Sequence, residues 1–159
     1  MINVSSTSFN NDDFIPLKYV CTDWHGQNIS PNIKWTISRS IKVQSYALIC
    51  IDPDIPDNIK NKIGRSYWVH WILYNLQNTN LKEGIKLASN NQVANDSGNI
   101  GYSGPCPPKY TGRHRYHFYV YALDTILPTI TTLRQFETLI NKHKIAVGQL
   151  IGIFPYYNQ

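Results

Sequence analysis

Apolar residues along the chain occur mainly in short runs or in alternation with polar residues, and turn-forming residues separate these stretches. Residues Ile33–Ile37 alternate apolar and polar side chains, as a strand with one buried face does. Residues 46–51 form a nearly continuous apolar run that suits a buried central strand better than a helix. Aromatic and β-branched residues fill residues 68–75 and 115–123, which predicts two further strands with both faces covered.

The chain has one clear helical pattern, and it lies near the end. Its apolar positions fall mostly at three- and four-residue steps and define one face of a helix: Leu133, Phe136, Leu139, Ile140 and Val147. Thr132 and Gln135 have the spacing of a capping box, which satisfies free amide groups at a helix start. Gly148 ends the pattern, and residues 150–154 predict a short final strand.

Polar stretches between these elements predict loops. Residues 57–66 follow two prolines, and residues 76–100 are rich in asparagine and have no strong period. No internal repeat or second domain boundary is visible, so one domain over residues 1–159 is expected, with enough chain for a sizeable core. Because the strands come first and a helix comes late, the order favours a sheet sandwich or barrel-like β fold with an appended helix over alternating βαβ units.

The positive charge of the chain is dispersed. Fifteen Lys and Arg residues against ten Asp and Glu residues give a formal net charge of +5. The densest basic cluster contains only Lys60, Lys62 and Arg65, and no run of five or more basic residues exists. A nucleic-acid partner is therefore not expected.

The three cysteines, Cys21, Cys50 and Cys106, form neither a C-x-x-C pair nor a zinc-binding spacing. An odd count in a domain of this size is more typical of reduced, structural thiols than of a disulfide framework. The first residues lack the basic start and the apolar stretch of a signal peptide. No apolar run approaches the roughly 20 residues of a membrane-spanning helix. The expected location is the cytoplasm.

Polar residues stand at the ends of three predicted central strands. Asp52-Pro53-Asp54 follows the first strand, His70 lies within the second, and a Gly- and Pro-rich loop at residues 104–108 precedes His114 at the start of the third. If these strands are neighbours, their ends converge on one concave site. Imidazole N–H groups donate to anions, proline fixes loop backbone, and glycine allows close approach of a ligand. The pattern therefore predicts a pocket for a small anion.

Two interpretations of Asp52 remain open from the sequence. Its carboxylate either holds one nitrogen of a histidine and orients the other toward the ligand, or accepts a proton from a protonated phosphate oxygen. His70, alone on an apolar strand, is on pattern alone more typical of a hydrogen-bonded core histidine than of a ligand. Asp54 is compatible with a simple turn, and Arg115 with an ion pair to a buried carboxylate.

Signatures of catalysis are weak. The chain contains no G-x-S-x-G elbow, P-loop or H-E-x-x-H motif. Ser103 with His114 and Asp52 supplies the residue types of a hydrolase triad, and Cys106 with His114 supplies a thiol–imidazole pair, but neither spacing is specific. His70, His114 and Asp52 also have the chemistry of metal ligands. Binding is favoured over catalysis.

Taken together, these motifs resemble a known family. Residues 52–56, 68–71, 101–108 and 114–116, in this order and spacing, are similar to the signature of the phosphatidylethanolamine-binding protein family. The similarity is greatest to the bacterial and archaeal Raf-kinase-inhibitor-like branch, and it extends over roughly residues 9–154. One departure is Ile55, which stands where the family usually has a small residue and is expected to crowd the pocket rim.

The resemblance implies a mainly β fold, in which a central antiparallel-rich sheet packs on a smaller sheet, with a C-terminal helix and short peripheral helices. It implies a pocket for phosphate, acetate or a phospholipid headgroup, and it implies no cofactor. The residues that would line or shape that pocket are Asp52, Pro56, Trp68, His70, Gly104, Pro107, His114 and Tyr116.

Three functions follow from the sequence. The leading hypothesis is a regulatory, non-catalytic protein that binds a small anion or phospho-ligand. The second is an inhibitor of a serine protease or kinase, in which an exposed loop at residues 57–66 contacts the protein partner. The third is a hydrolase that uses Ser103 or Cys106. A homodimer is compatible with each.

Overall fold

The computed structural model describes residues 1–38 and 41–156. Within these residues the strands are β1 (Ile2–Ser5), β2 (Asp13–Phe14), β3 (Ile33–Ile37), β4 (Ser45–Asp52), β5 (Trp68–Leu76), β6 (Asn80–Leu81), β7 (Gln92–Val93), β8 (His114–Leu123) and β9 (Lys144–Phe154). The α-helices are α1 (Asp57–Ile63) and α2 (Leu133–His143). Short 3-10 segments are Leu17–Tyr19, Thr22–Trp24 and Ser89–Asn91.

The strands of the described residues form two sheets. The larger has six strands in the order β2-β9-β8-β4-β5-β7, and the smaller has three in the order β1-β3-β6. Neighbouring strands are antiparallel, except that β2 runs parallel to β9. The prediction of a mainly β fold with a central antiparallel-rich sheet, a smaller sheet and a late helix is confirmed. The predicted strand at Ile33–Ile37 is observed with the same bounds.

The larger sheet is covered on both faces. One face packs against a core cluster that includes Trp35, Leu48 and Phe118, and the other packs under α2 through Phe136 and Ile140. All but one residue of β4 is buried, which confirms that residues 46–51 form a central strand. Closely spaced packing of this kind makes the larger sheet the rigid frame on which loop residues are held.

The late helix begins as predicted but ends earlier. Thr132 Oγ1 accepts from the Gln135 amide at 3.1 Å, and the Gln135 side chain accepts from the Thr132 amide at 3.2 Å, so the capping box is confirmed. The helix stops at His143, and Val147 and Gly148 lie in β9 instead. The reason is pairing: β9 follows β8 along its whole length, and this tertiary contact overrides a helical spacing that arose by coincidence.

The polar segment at residues 57–66 was expected to be a loop, and this expectation is wrong for its first part. Helix α1 occupies Asp57–Ile63 and ends at Gly64, whose φ of 74° is the left-handed conformation of a helix C-cap. No residue of α1 is buried. Its only apolar residues are Ile59 and Ile63, which are half-buried, and two positions are too few for hydrophobic periodicity to indicate a helix. Residues 76–100 are irregular apart from β6, β7 and one 3-10 turn, close to the prediction.

The expectation of three reduced cysteines is wrong for two of them. Cys21 and Cys106 form a disulfide with their Cα atoms 5.4 Å apart. They are separated by 85 positions in the sequence, so only the tertiary fold brings them together. Cys50 is free and buried, and its burial raises the pKa of the thiol well above the ordinary value. No helix in the described part of the chain is long and apolar enough to cross a membrane.

Candidate functional site

The three predicted strands are neighbours, with β4 lying between β8 and β5. Since β4 is antiparallel to both, the end of β4 lies beside the beginnings of β5 and β8. Asp52 at the end of β4 is paired with Trp68 at the start of β5, and His114 begins β8. The sheet therefore brings the polar ends of three strands to one edge, as the sequence predicts.

A cavity of about 180 Å³ opens at this edge and is called the strand-end cavity here. Its lining residues are Asp52, Ile55, Ile59, Trp68, His70, Ser97, Gly104, Cys106, Pro107 and Pro108. Pro56 lies next to this wall, directly before α1. His114 and Tyr116 are fully buried and lie behind the lining residues. A larger cavity, of about 430 Å³, lies around Trp71 and Tyr102 and contains none of the predicted site residues.

His70 presents one free ring nitrogen to the strand-end cavity. Its Nδ1 lies 2.7 Å from the Ser103 carbonyl oxygen, which can only accept, so Nδ1 carries the proton. Nε2 does not meet hydrogen-bond geometry with any described residue, and His70 is only 5% exposed. Burial lowers the pKa of His70, while the Ser103 backbone, the charges of Asp52 and Asp96 and the Gly104 backbone act in the opposite direction. In the neutral ring, Nε2 is therefore a lone-pair acceptor.

His114 has both ring nitrogens occupied. Nδ1 lies 2.6 Å from Asp52 Oδ2, and Nε2 lies 2.8 Å from Thr111 Oγ1. The second oxygen of Asp52 accepts from the Asp54 amide at 2.7 Å. Asp52 thus holds a histidine, as the first of the two interpretations has it, but the far nitrogen of that histidine meets Thr111. His114 therefore fixes the Asp52 carboxylate in the wall from behind.

Tyr116 is packed between the two histidines. Its ring stacks on His114 with centroids 6.5 Å apart and meets His70 edge to face at 5.2 Å. Its hydroxyl is buried and has no hydrogen-bond partner among the described residues. Burial, followed by the nearby charge of Asp52, raises the pKa of Tyr116 well above its ordinary value. The phenol is therefore a neutral group whose ring locks both imidazoles in place.

The loop that carries Gly104 is fixed from several directions. The Gly104 amide donates to Asn28 Oδ1 at 2.7 Å, and a Cβ at this position would overlap the Tyr19 carbonyl oxygen. Trp24 Nε1 donates to the Pro107 carbonyl at 2.9 Å. The disulfide joins Cys106 to the segment that contains Tyr19 and Trp24. Gly104 is thus required by close packing against backbone, a requirement that no larger residue meets.

The rim carries an ion pair that neutralises its charge. Arg115 donates to Asp54 through its amide, Nε and Nη2, at 2.8 to 2.9 Å. Burial raises the pKa of Asp54, but the bonds from Arg115 outweigh this effect and leave the pKa below its ordinary value. No lysine or arginine is among the described residues that line the strand-end cavity. Any anion bound there must therefore be recognised by His70 and by neutral donors.

Residues that the sequence analysis did not assign to the site also contribute. Asn28 and Thr111 hold Gly104 and His114, and Ser97 and Ile59 belong to the cavity wall. Asn28 has a positive φ of 52°, so its role depends on a loop conformation that the sequence does not display. In the described residues, no group of three His, Cys, Asp or Glu side chains is arranged to hold a metal ion.

Comparison with known proteins identifies the family. Residues 5–155 match the family model of the phosphatidylethanolamine-binding proteins, and the chain belongs to this family. It is 36% identical to a UPF0098 protein from Methanothermobacter thermautotrophicus, over 96% of this chain and 98% of that one. It is 38% identical to a UPF0098 protein of Chlamydia muridarum, with the same shares of each chain covered.

Two solved structures are closely similar. A phosphatidylethanolamine-binding protein homologue, CT736 of Chlamydia trachomatis, superposes with a TM-score of 0.84 at 35% identity and 98% coverage of both chains. YbcL of Escherichia coli, described as a member of the mammalian family, gives a TM-score of 0.80 at 26% identity, over 98% of this chain and 99% of that one. These matches cover both sheets and α2, so the architecture described above is that of the family.

Proposed function

We propose that the chain binds a small anion or a phosphate-bearing ligand, without catalysis, in the strand-end cavity. The observation that carries this proposal is the free Nε2 of His70 in the cavity wall, with Nδ1 held by the Ser103 carbonyl. A nitrogen held in one orientation and left without a partner is prepared for a ligand atom. The cavity volume of about 180 Å³ suits a headgroup better than a large molecule.

The geometry makes anion binding depend on one proton. Neutral His70 offers a lone pair at Nε2, and a fully deprotonated anion cannot bond to it. Binding therefore requires either the imidazolium form of His70 or an anion that brings its own proton. The carboxylate of Asp52 lies in the same wall and repels a bare anion unless a proton is shared. Affinity for anions is accordingly expected to fall as the pH rises.

Sulfate and phosphate separate these two routes. Sulfate carries no proton near neutral pH, so its affinity should fall about tenfold per pH unit once His70 is neutral. Phosphate can carry a proton and should lose affinity less steeply. Both titrations are measured by calorimetry and, in the wild type, also by the NMR shifts of the His70 ring. His70→Leu, which has no hydrogen-bond donor, should weaken both anions at least about tenfold, while His143→Gln, which alters an exposed ion pair with Asp124, should change neither. Equal binding by His70→Leu would contradict the proposal.

A protein inhibitor is the second candidate, and α1 supports it. This helix has no buried residue, and Ile59 on it lines the strand-end cavity, so a partner docked on α1 would also cover the ligand. Charge reversal of Lys60 and Lys62 tests whether α1 contacts an inhibited partner. If the chain inhibits a member of a serine protease and kinase panel, this double variant should lose inhibition and keep phosphate binding. If the double variant still inhibits its target, α1 lies outside the inhibitory surface.

A hydrolase is less well supported. The sulfur of Cys106 is in a disulfide and is not a free thiolate. Ser103 Oγ accepts from Asn95 Nδ2 at 2.8 Å and has no histidine bonded to it. The disulfide also counts against the predicted cytoplasmic location, because such bonds persist mainly in oxidising compartments. A homodimer remains a prediction for which the packing offers no specific support.

A further inference from the structure

The outer face of the larger sheet carries a second cavity, of about 260 Å³, which is called the tyrosine cavity here. It lies between the sheet and α2, away from the residues of the strand-end cavity. Its lining residues are Ile49, Ile51, Tyr67, Tyr119, Tyr121, Phe136, Glu137, Ile140 and Asn141. The composition is unusual for an unfilled gap under a helix, because three tyrosines and one carboxylate surround an apolar floor.

The tyrosines offer aromatic surface to the cavity. Tyr119 and Tyr121 lie two positions apart on β8, so their side chains share one face of the sheet. Their rings stack with centroids 6.3 Å apart and planes inclined by 24°. Tyr67 enters from the segment before β5, and all three side chains are half-buried. The face of an aromatic ring carries negative potential, so a group of rings around one space attracts a cation.

Glu137 adds a negative charge to the same wall. Its Oε1 accepts a hydrogen bond from the Tyr67 hydroxyl, and its Oε2 makes no hydrogen bond to any described residue. Burial is the main cause that raises the pKa of Tyr121 to about 12, so this phenol is neutral near pH 7. No lysine or arginine is among the described residues that line the cavity. The cavity is therefore negative in a chain whose formal net charge is +5.

Arg65 shows that this environment already accommodates a cation. Its guanidinium lies over the Tyr67 ring, 5.4 Å from the centroid. Both oxygens of Asp96 accept from the same guanidinium, and the pKa of Arg65 is raised chiefly by these bonds and to a smaller extent by the charge of Glu137. Asp96 is therefore the main partner of Arg65, and Glu137 is a weaker one. The Tyr119 ring is stacked on both His117 and Tyr121, so the outer ring face of this stack on the side of the cavity belongs to Tyr121.

We propose that the tyrosine cavity binds a small organic cation, an alkylated ammonium group, between Tyr67, Tyr119, Tyr121 and Glu137. Alkylation is favoured by the floor, because Ile49, Ile140 and Phe136 provide no hydrogen-bond acceptor for an N–H group that faces them. Methyl groups on the nitrogen contact this floor and the rings, while the charge of the nitrogen faces Glu137. The proposed ligand class is thus a quaternary or heavily methylated ammonium.

Choline and its neutral analogue 3,3-dimethyl-1-butanol provide the direct test, because they have the same shape and differ in charge. Binding is followed by calorimetry and by the ring-proton shifts of the tyrosines. Choline should bind, and the neutral analogue should bind at least about tenfold more weakly. Glu137→Gln should weaken choline about fivefold. The matched control is Glu83→Gln, which removes a carboxylate that pairs with Lys18 elsewhere and should have no effect.

Substitutions of Tyr121 separate ring chemistry from folding. Tyr121→Phe keeps the aromatic face and should retain choline binding, whereas Tyr121→Leu should reduce it about fivefold or more. Unfolding curves of both variants show whether each is folded. Equal affinity for choline and the neutral analogue, or equal binding by the Leu and Phe variants, would overturn the proposal. His70→Gln should leave choline binding unchanged, so failure of this proposal is distinguishable from failure of the anion site.

Discussion

The strand-end cavity and the tyrosine cavity, both on the larger sheet, are lined by different kinds of structure. The strand-end cavity is walled largely by loop backbone, prolines and the half-cystine Cys106, all held by long-range links. The tyrosine cavity is walled by side chains that stand on regular elements, chiefly β8 and α2. The first therefore depends on how distant loops are joined, while the second depends on strand pairing and on the position of one helix.

The cavities also differ in how they select charge. His70 and Asp52 both line the strand-end cavity, and the proposed binding of an anion there requires a shared proton. In the tyrosine cavity, Glu137 and the ring faces favour a fixed positive charge. One domain can thus present two selective sites of opposite sign on separate parts of one sheet. Variants that damage one site and leave the other intact test this separation.

Removal of the disulfide should have the largest effect. The Cys21→Ser, Cys106→Ser double variant should lose about 4 kcal/mol of unfolding free energy, because the bond closes a long loop in the unfolded chain. Urea denaturation measures this loss. Phosphate affinity should fall as well, because the bond fixes the loop that carries Gly104. Choline affinity of the folded fraction should be unchanged.

Cys50→Ala is the control for that experiment, because Cys50 is a buried thiol that takes no part in the bond. It should cost about 1 kcal/mol and should leave the affinity for both phosphate and choline unchanged. If the disulfide variant lost as much affinity for choline as for phosphate, both cavities would depend on this bond, and the proposed separation would be wrong.

Gly104→Ala should have the next largest effect. The added methyl group would overlap the Tyr19 carbonyl oxygen and lie 3.1 Å from Asn28 Oδ1, so loop backbone must shift at a cost of about 3 kcal/mol. Chemical denaturation and phosphate titration should both detect the change. Gly64→Ala is the matched control, since its φ is positive but nothing lies within 4 Å of the new Cβ. It should cost about 1 kcal/mol, and equal losses would contradict the overlap argument.

The sequence predicts the part of this molecule in which local pattern and tertiary structure agree. The buried run before Asp52 and the capping box at Thr132 are both found where hydrophobic period and hydrogen-bond chemistry place them. Helix α1 and the start of β9 are not predicted from the sequence, and the reasons are opposite. The first is short and has only two half-buried apolar residues, Ile59 and Ile63, and the second has a helical spacing that pairing with β8 overrides.

The same contrast applies to the sites. The motifs around Asp52, His70 and Gly104 predict one cavity, because the three strand ends carry recognisable residues. They do not reveal that His114 turns its second nitrogen to Thr111, or that Cys106 is bonded to Cys21. Such details depend on contacts between positions far apart in sequence. The tyrosine cavity has no motif, since its members come from β4, β8, α2 and the segment before β5, and only the structure assembles them.

Thr132→Ala should disturb the tyrosine cavity with a smaller effect on stability. The hydroxyl caps α2 by accepting from the Gln135 amide, and its loss should cost about 1 kcal/mol. Fraying of the first turn moves Phe136 and Glu137, so choline affinity should fall while phosphate affinity stays constant. Thr132→Ser, which keeps the hydroxyl, should restore most of the stability and the affinity. A loss of phosphate binding would show that α2 supports both cavities.

Titration of His70 should give the smallest effect. Burial holds the pKa of His70 in the folded state below its ordinary value of 6.5, so the unfolded chain takes up the proton first as the pH falls. The associated stability is therefore complete above pH 6.5 and is lost on acidification, by less than about 1 kcal/mol at pH 6. His70→Gln should remove this component, and its stability should decline less steeply than that of the wild type between pH 7 and 5.

The effect of phosphate and of choline on this pH dependence of stability tests whether the two cavities are independent. Phosphate binding at His70 requires one shared proton and should strengthen as the pH falls, so phosphate should flatten the acid side of the wild-type profile and leave that of His70→Gln unchanged. Choline should raise the stability of both proteins equally at each pH, because no histidine is among the described residues that line the tyrosine cavity. Denaturant midpoints measured in an anion-poor buffer provide the readout. If phosphate flattened both profiles alike, its stabilising effect would arise outside the strand-end cavity, and the role of His70 would have to be abandoned.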